Sequence, residues 1–486
     1  MCHAFKHIAA LLKSPASLYV ILRYLTYGLQ FVNSILLVNV LGEYSYGIYG
    51  FILMFTLYFI YLNLGVNDSL NAEYAINKDN LSVGNDLWNN AISLSICWYS
   101  FIIVGSLILL FEYPDILIKY EFIGYGVLLI LACVAHNFSI FYATLYRIYG
   151  KTLKVNIEQI LPQIGILILI IGGKSIASIT TIVIVILSAN VISLILYIHN
   201  PPEKFSFSLN IKVIKLLLSR GVSLLLYNLS FQLLTMLALM FVSAIFSVEQ
   251  MGCYSLANSI TNGVLMAGGA FLFIFFPKII NKMGQSKENG KRLIEKFKDI
   301  YIVFIDFISI VSIICVWGLS FAYPAYGTTL LKLYIFLIVG RIINNSCIGF
   351  STYLISVKKE KLLVICGISS ILLSVMGYAL VKTLDLSIIN VPQVIVVASF
   401  LFSSLVICIG QKELYGSLKL PLFLSLLLGQ GKWVIFLSAI IYSYLSDSYI
   451  VLLGGLLLYL ILNYKKLYYS LKNGYVIVAN RSSLQF

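Results

Sequence analysis

Apolar stretches separated by short polar loops recur along the whole chain. Fourteen such stretches occur, most of them 17–25 residues long. A hydrocarbon core about 30 Å thick requires roughly 20 apolar residues per helix, so the pattern predicts an all-α polytopic membrane protein. The predicted spans are 17–40, 46–64, 88–111, 122–146, 153–171, 176–198, 221–246, 252–277, 300–320, 329–354, 362–381, 391–410, 432–446 and 448–464. Only three residues separate the last two, so twelve spans followed by a re-entrant or tilted tail are the alternative to fourteen.

The composition supports the membrane class. Of 486 residues, 60% are hydrophobic and 11% are charged, and the mean hydropathy is +0.97, which excludes a soluble domain of ordinary composition. A formal charge of +14 would indicate nucleic acid in a soluble protein, but here Lys and Arg flank membrane spans. The eight Cys are scattered, mostly inside spans, without a C-x-x-C pair. We therefore expect no nucleic-acid partner, no metal site and no cofactor.

Basic residues fall on alternate loops, which predicts the orientation of the chain. With the amino terminus inside the cell, nearly all of the 33 Lys and Arg lie on the inner side, so both termini are predicted to be cytoplasmic. The most basic inner loop, 278–298, includes a predicted amphipathic surface helix at 287–298. The exceptions to the inner side are Lys119, Lys174, Lys332 and Lys382 at outer positions and Arg23 and Arg341 inside spans.

A short internal repeat predicts the architecture. Tyr46-Gly47-Ile48-Tyr49 follows the first span and Met251-Gly252-Cys253-Tyr254 follows the seventh, with Gly and the second Tyr each 205 residues apart. Because six spans separate the two copies, both halves enter the membrane in the same orientation, as parallel repeats around a central cavity. The predicted domains are a six-helix bundle at 1–205, a second at 206–411, and two added helices with a cytoplasmic tail at 412–486.

The turn motif also carries a family resemblance. The stretch L-G-E-Y-S-Y-G-I-Y from Leu41 to Tyr49 is followed by a span that ends in Asn63-Leu64-Gly65. Together they resemble the opening helical pair of Wzx-type O-antigen flippases, in the polysaccharide branch of the multidrug/oligosaccharidyl-lipid/polysaccharide (MOP) exporter superfamily. The residues that match this turn and its repeat are Gly42, Gly47, Tyr49, Gly252 and Tyr254.

The resemblance implies a fold and a function. The fold would be like that of the multidrug and toxic compound extrusion (MATE) transporters, with two six-helix bundles facing a cationic cavity. The two additional carboxyl-terminal helices would fit those of the lipid II flippases. The cargo would be an oligosaccharide on undecaprenyl pyrophosphate, moved from the cytoplasmic to the periplasmic leaflet of the bacterial inner membrane. An association with membrane lipids, an O-antigen polymerase and a chain-length regulator is likewise implied.

Polar residues within the spans are candidates for contacts with sugars. Residues of span one fall on one helical stripe, as do those of spans seven and eight. Unlike many relatives, this chain carries no charge in span seven. Amides and hydroxyls suit sugar hydroxyls, which both donate and accept hydrogen bonds, but such side chains also bond helices to one another. The candidates are Gln30, Asn33, Asn228, Gln232, Asn258 and Asn262 as amides, with the hydroxyls of Thr26 and Thr235 beside them.

Two arginines are candidates for binding the pyrophosphate. A guanidinium forms bidentate hydrogen bonds with phosphate and stays charged even when poorly hydrated. Arg341 lies near the middle of span ten, with Asn344 and Asn345 on the same helical face. Arg23 lies about six residues from the inner end of span one, so it could also extend its charge to the interface.

Two carboxylates lie at similar inner depth, Glu158 in span five and Asp306 in span nine. Either could pair with Arg23 to close an inner gate, or bind a proton or sodium ion that couples transport to a gradient. The alternative for both is a carboxylate close enough to the inner surface to remain hydrated.

Two other functions compete with the flippase. An O-antigen polymerase or a membrane glycosyltransferase is disfavoured because such enzymes generally have a large outer loop with charged residues. Here the longest outer loop has only about ten residues, and the first outer loop offers just Glu43 as an acid. A multidrug cation antiporter would share the fold, but its cavity would favour carboxylates, whereas the deepest charge here is Arg341. The chain is therefore predicted to be a transporter and not an enzyme. No Gly-rich ATPase loop occurs, so an ion gradient would drive it.

Overall fold

The structure is a computed structural model of the chain, and the regular secondary structure of its described residues is all helical. Side chains within a few of these helices lie outside the description. The described residues are 15–76, 81–112, 115–174, 176–322, 326–427, 432–446 and 449–479.

Eight helices form the first part of the chain. Their long members coincide with the apolar runs, because a helix satisfies its own backbone hydrogen bonds inside a bilayer. Short 3₁₀ turns occur at Phe122–Gly124 and Thr152–Asn156. The helices are α1 Pro15–Leu41, α2 Glu43–Tyr61, α3 Val66–Ile76, α4 Leu81–Glu112, α5 Asp115–Lys119, α6 Gly126–Ile148, α7 Ile157–Gly172 and α8 Ile179–Ile198.

Eleven helices follow in the second part. Two of them, α9 and α10, are much longer than a bilayer requires, because each extends a membrane segment into a polar end. Turns of π-helix occur at Phe297–Ile302 and Ile441–Ser446. The helices are α9 Ile211–Ile245, α10 Val248–Gln285, α11 Lys287–Lys296, α12 Val303–Ala322, α13 Gly327–Asn345, α14 Ile348–Ser356, α15 Glu360–Thr383, α16 Asn390–Tyr415, α17 Leu420–Leu427, α18 Lys432–Ile440 and α19 Tyr449–Ala479.

The membrane class is confirmed, since eleven helices within the described ranges are long and apolar enough to cross a membrane. The amphipathic helix predicted at 287–298 is confirmed as α11. Several element boundaries differ from the predictions. Helices α4 and α9 begin at Leu81 and Ile211, ahead of the predicted spans 88–111 and 221–246. Span 329–354 is interrupted at Ser346–Cys347, between α13 and α14. The inner loop predicted to begin at residue 278 begins only after Gln285, because α10 continues through polar residues beyond its apolar part.

The chain divides into two compact units. The first comprises Met1–Leu229 with Phe246–Gly252, and the second comprises Ser230–Ile245 with Cys253–Phe486. The long helix α9 therefore contributes residues to both units. The three predicted domains, with boundaries at residues 205 and 411, stay a prediction.

Aromatic side chains fill the core of the first unit. Trp88 on α4 is fully buried and packs edge-on against Tyr142 on α6, with ring centroids 5.0 Å apart. Tyr146 is also buried, and its hydroxyl donates to the carbonyl oxygens of Tyr197 (3.1 Å) and Asn200 (2.6 Å). Buried tyrosines need a partner for the hydroxyl, and the end of α8 supplies it with backbone carbonyls. These bonds hold α8 against α6.

The repeated turn motif occupies equivalent positions in two helices. Gly47 and Gly252 are each the fifth residue of their helix, α2 and α10. Tyr49 and Tyr254, two residues further on, are both buried. Gly42 caps the start of α2 with φ of 77°, a backbone conformation that favours glycine.

Two glycines permit close backbone approaches within the first unit. A Cβ on Gly47 would lie 1.9 Å from the Val248 carbonyl oxygen, and one on Gly65 would lie 2.0 Å from the Gly221 carbonyl oxygen. Beside these contacts, Lys119 donates to the Phe246 carbonyl at 2.5 Å, and Arg220 forms an ion pair with Glu73. The glycines of the turn motif and of the end of span two are thus required by packing.

We predict that Gly47→Ala lowers the free energy of unfolding by about 1–3 kcal/mol. The new methyl group would overlap backbone atoms of Val248, which cannot move aside as the end of a flexible side chain can. Gly105→Ala is the matched control: Gly105 also lies within a helix, and its Cβ would meet nothing within 4 Å. Thermal unfolding of the two detergent-solubilised variants measures the difference. Equal melting temperatures for Gly47→Ala and the wild type would contradict the contact.

Candidate functional site

Arg341 lies at the centre of a polar cluster from three helices of the second unit. Its Nη2 group donates to the Thr235 hydroxyl oxygen on α9 at 2.9 Å and to the Asn262 side-chain oxygen on α10 at 3.3 Å. The Arg341 carbonyl accepts a hydrogen bond from the Asn345 amide one turn later, at 3.0 Å. The structure therefore brings together residues that the sequence identified separately in spans seven, eight and ten.

The partners of Arg341 are electrically neutral. Within the described residues no carboxylate forms an ion pair with it. Thr235 is buried, whereas Arg341 and Asn262 are each partly accessible. Neutral acceptors orient a guanidinium without cancelling its charge, so Arg341 keeps its positive charge in this cluster.

The other amide candidates of the second unit take different positions. Asn258 on α10 is buried, and its side-chain oxygen has no hydrogen-bond partner in the described part of the chain. Gln232 lies at the surface of the protein, and Asn344 is partly buried. The side chain of Asn228 lies outside the described residues. The cluster that the structure defines is therefore Arg341 with Thr235, Asn262 and Asn345.

Arg23 has a different environment from Arg341. Its Nε donates to the Tyr27 hydroxyl at 2.6 Å, and the guanidinium carbon lies 5.1 Å from the centroid of the same ring. Both contacts are within one turn of α1 and use an aromatic ring as the partner of the cation. Arg23 is thus held by its own helix, and it is only partly buried.

Asn33 and Gln30, one turn apart on α1, have opposite roles in the packing. Asn33 is buried, and its amide donates to Gln163 on α7, at 2.8 Å to the carbonyl and 3.2 Å to the side-chain oxygen. Gln30 lies at the surface, with its side chain unbonded in the described part of the chain. The structure therefore uses Asn33 to join two helices and leaves Gln30 accessible.

Glu158 is buried near the start of α7 and bonded to a tyrosine. The Tyr197 hydroxyl donates to its carboxylate at 2.9 Å and also lies 2.8 Å from the Lys154 carbonyl. Arg23 and Arg147 attract the carboxylate electrostatically, but neither forms an ion pair with it among the described contacts. The structure thus shows Glu158 buried, whereas the alternative in the sequence placed it in contact with water.

Asp306 is fully buried on α12. The Tyr459 hydroxyl from α19 faces its carboxylate, and Tyr459 is also fully buried. The carboxyl-terminal helix therefore supplies a polar neighbour to a carboxylate in span nine. The alternative from the sequence analysis was that both carboxylates lie close enough to the inner surface to remain hydrated. Asp306, like Glu158, is instead buried.

Sequence reasoning missed the partners of these residues. Tyr197, Tyr459 and Gln163 stand in apolar runs where nothing in the local pattern distinguishes them from packing residues. The ion pair of Glu73 and Arg220 was also missed. Each partner is far away in sequence, so only an alignment with correlated substitutions could have provided a signal.

The family of the chain follows from its sequence. Residues 12–280 match the family described as "Polysaccharide biosynthesis protein", which covers more than half of the chain, and the chain belongs to this family. No curated protein matches the sequence. The resemblance to the polysaccharide branch that the turn motif indicated is therefore confirmed.

Solved structures show the same fold. The lipid II flippase MurJ in an inward closed conformation is 16% identical, with a TM-score of 0.65 over 92% of this chain and 98% of its own. A MATE-family multidrug resistance transporter of the MOP superfamily, in an inward-facing conformation, is 15% identical, with a TM-score of 0.62 over 81% of this chain and 95% of its own. A mutant of the Vibrio cholerae MATE transporter VcmN is 15% identical, with a TM-score of 0.57 over 86% of this chain and 99% of its own.

These identities show the fold alone, which is the MATE-like fold predicted from the sequence. Taken with the family, they define the chain as a multi-pass membrane protein of the polysaccharide biosynthesis family with a MATE-like fold.

We predict that Asn33→Ala lowers the free energy of unfolding by about 0.6–1.7 kcal/mol, the range measured for hydrogen bonds between membrane helices. Gln30→Ala, one turn away and at the surface, should cause no measurable loss. Equilibrium unfolding in mixed micelles measures both. If the two variants are equally stable, the bond between Asn33 and Gln163 contributes nothing and Asn33 returns to the candidates for contact with cargo.

Proposed function

We propose that this chain is a flippase for oligosaccharides linked to undecaprenyl pyrophosphate. It would move repeat units of O-antigen or another surface polysaccharide from the cytoplasmic to the periplasmic leaflet of the inner membrane, with both termini in the cytoplasm. The family and the fold shared with a protein described as a lipid II flippase support a lipid-linked glycan as cargo.

The observation that carries the proposal is the cationic cluster around Arg341. A pyrophosphate that enters a bilayer needs a positive charge at depth and donors in a fixed geometry. Thr235 and Asn262 engage Nη2, and Nη1 and Nε have no partner among the described residues. The bonds of Nη2 thereby orient the guanidinium, and Nη1 and Nε can donate to phosphate oxygens.

Neutral polar residues supply the second part of the proposal. Asn262 accepts from the guanidinium, Asn345 donates to the Arg341 backbone carbonyl, and Asn258 has an unsatisfied side-chain oxygen one turn before Asn262. Amides both donate and accept, as sugar hydroxyls require. We assign these residues, with Gln30 and Gln232 at accessible positions, to the sugar, and Arg23 to a second contact with the pyrophosphate.

Coupling to an ion gradient is the third part. Asp306 and Glu158 are buried carboxylates, each beside a tyrosine hydroxyl that can follow a change in charge by donating or releasing a hydrogen bond. Alternating access would then follow the binding of a proton or sodium ion at one of them. A polymerase and a chain-length regulator are proposed as protein partners of the exported repeat unit.

We predict that Arg341→Ala abolishes surface polysaccharide at an unchanged protein level, because no other described side chain replaces the cation in this cluster. Arg341→Lys should fall roughly tenfold or more below the wild type, since an ammonium cannot bond Thr235, Asn262 and a phosphate in the same geometry. Lys332→Ala, a cation near the start of the same helix, is the matched control and should retain export. Complementation of a host deleted for the gene measures surface glycan.

Lipid extracts from the same strains identify the step. Loss of export should accompany accumulation of undecaprenyl-linked repeat units. If single repeat units still reach the surface of the deleted host, translocation is intact and polymerisation becomes the function to test. Wild-type export by Arg341→Ala would remove Arg341 from the site.

A further inference from the structure

The second half of the linker between α8 and α9 is bound to α4. The linker runs from residue 199 to residue 210 without helix. The Ser206 amide donates to the Asn89 side-chain oxygen at 2.9 Å, and the Ser208 amide donates to the Ser93 hydroxyl at 2.9 Å. The Asn210 amide donates to the Asn90 side-chain oxygen at 2.5 Å. Three alternate backbone N–H groups are therefore fixed on one helix.

The apolar side chains of this linker are exposed and lie on one side of it. In an extended chain the side chains of alternate residues share a face, so Phe205, Phe207 and Leu209 point in the same direction. Phe205, Phe207 and Leu209 are 40%, 58% and 48% exposed, and Ile211, which begins α9, is 81% exposed. We call these four residues the apolar row. Ordinary aqueous surfaces scatter such residues singly, and a contiguous row indicates a contact surface.

The surroundings of the apolar row indicate a lipid leaflet as the contact. Along the last turns of α8, Ile192, Ile195 and Ile198 are 49%, 60% and 48% exposed at a helical spacing of three, as expected for a face of a spanning helix that meets lipid. The apolar row begins seven residues after Ile198, between the end of that span and the first turn of α9. It therefore lies at the depth where hydrocarbon gives way to headgroups.

The charges beside the apolar row match an anionic interface. Lys204, Lys212 and Lys215 are all exposed next to it. The neighbouring acid, Glu203, accepts hydrogen bonds from Tyr74 at 3.3 Å and from Tyr149, so it is directed towards the protein. Lysines beside apolar side chains bind the headgroups of anionic lipids while the apolar side chains enter the acyl boundary.

We propose that the linker from Lys204 to Lys215 is an interfacial anchor, in which the apolar row inserts into a leaflet of anionic phospholipid and the lysines bind its headgroups. The side-chain bonds from α4 hold the linker flat in this orientation. The anchor is independent of which cargo the transporter carries.

Photocrosslinking of the full chain in nanodiscs tests the proposal. p-Benzoylphenylalanine replaces Phe207 or, in a second variant, Phe205, both conservative changes of an exposed ring. The same group at Glu288 on α11, a strongly exposed position on a polar helix, is the matched control. Lipid adducts at 205 and 207 should exceed those at 288 by roughly tenfold, because a probe in the acyl boundary meets lipid and a probe on a hydrated surface does not. Lipid adducts no more frequent than at 288 would overturn the anchor.

The lipid composition tests the role of charge. In nanodiscs of phosphatidylglycerol with phosphatidylcholine, adducts at 207 should favour phosphatidylglycerol, and Lys204→Gln with Lys212→Gln and Lys215→Gln should reduce this preference about threefold or more. An unchanged preference would overturn the assignment of the lysines. Irradiation of the 207 variant in cell membranes completes the test: a crosslinked dimer or an adduct with another protein in place of lipid would show that the apolar row is a protein interface.

Discussion

A charged group in a hydrocarbon layer requires polar partners, and the arrangement of this chain around Arg341 depends on that requirement. The partners are a hydroxyl from α9 and an amide from α10, and both are neutral. A carboxylate in the same place would stabilise the cation more strongly but would also cancel its field. Neutral acceptors fix the direction of the guanidinium, leave its charge intact and tie together three helices of one unit. In the proposed function, this site would hold a cation that an anion from outside the protein completes.

The buried carboxylates follow the same rule with the opposite charge. Glu158 receives the hydroxyl of Tyr197, and Asp306 faces that of Tyr459. Tyrosine is suited to this position, because its ring packs with the apolar core while its hydroxyl donates to the carboxylate. In contrast, the ion pair of Glu73 and Arg220 lies on α3 and the first turns of α9, outside the apolar part of the helices, where both charges can be partly hydrated. The chain thus uses neutral partners at depth and an opposite charge near the ends.

Much of the fold could be predicted from the pattern of apolar residues, because each spanning helix must satisfy its own backbone and so appears as a continuous run. The turn motif was also readable, since Gly47 and Gly252 mark the same position in two helices. The break at Ser346 was not, because the apolar run passes through it. The length of α10 was underestimated, because polar residues continue a helix once it leaves the bilayer.

The candidate site was predictable only in part. Its place inside a predicted span identified Arg341, since a charge there is costly and needs a reason, although α13 ends four residues later at Asn345. Its partners Thr235 and Asn262 were predicted only as polar positions. They lie 106 and 79 residues from Arg341 in the sequence, so their contact with it depends on how the helices pack. Asn33 shows the opposite case: its position on the stripe of span one suggested a contact with sugar, whereas its amide is bonded to Gln163. Periodicity shows which face a residue occupies and not what that face meets.

Translocation by the purified chain in proteoliposomes tests the central claim most directly. An undecaprenyl pyrophosphate-linked oligosaccharide is placed in one leaflet, an ion gradient is imposed, and arrival of the sugar at the opposite leaflet is followed by its capture by an external lectin. The account predicts rapid capture with the wild-type chain and a rate no higher than in empty liposomes with Arg341→Ala. Equal rates for the wild type and Arg341→Ala, or no translocation by the wild type, would contradict it.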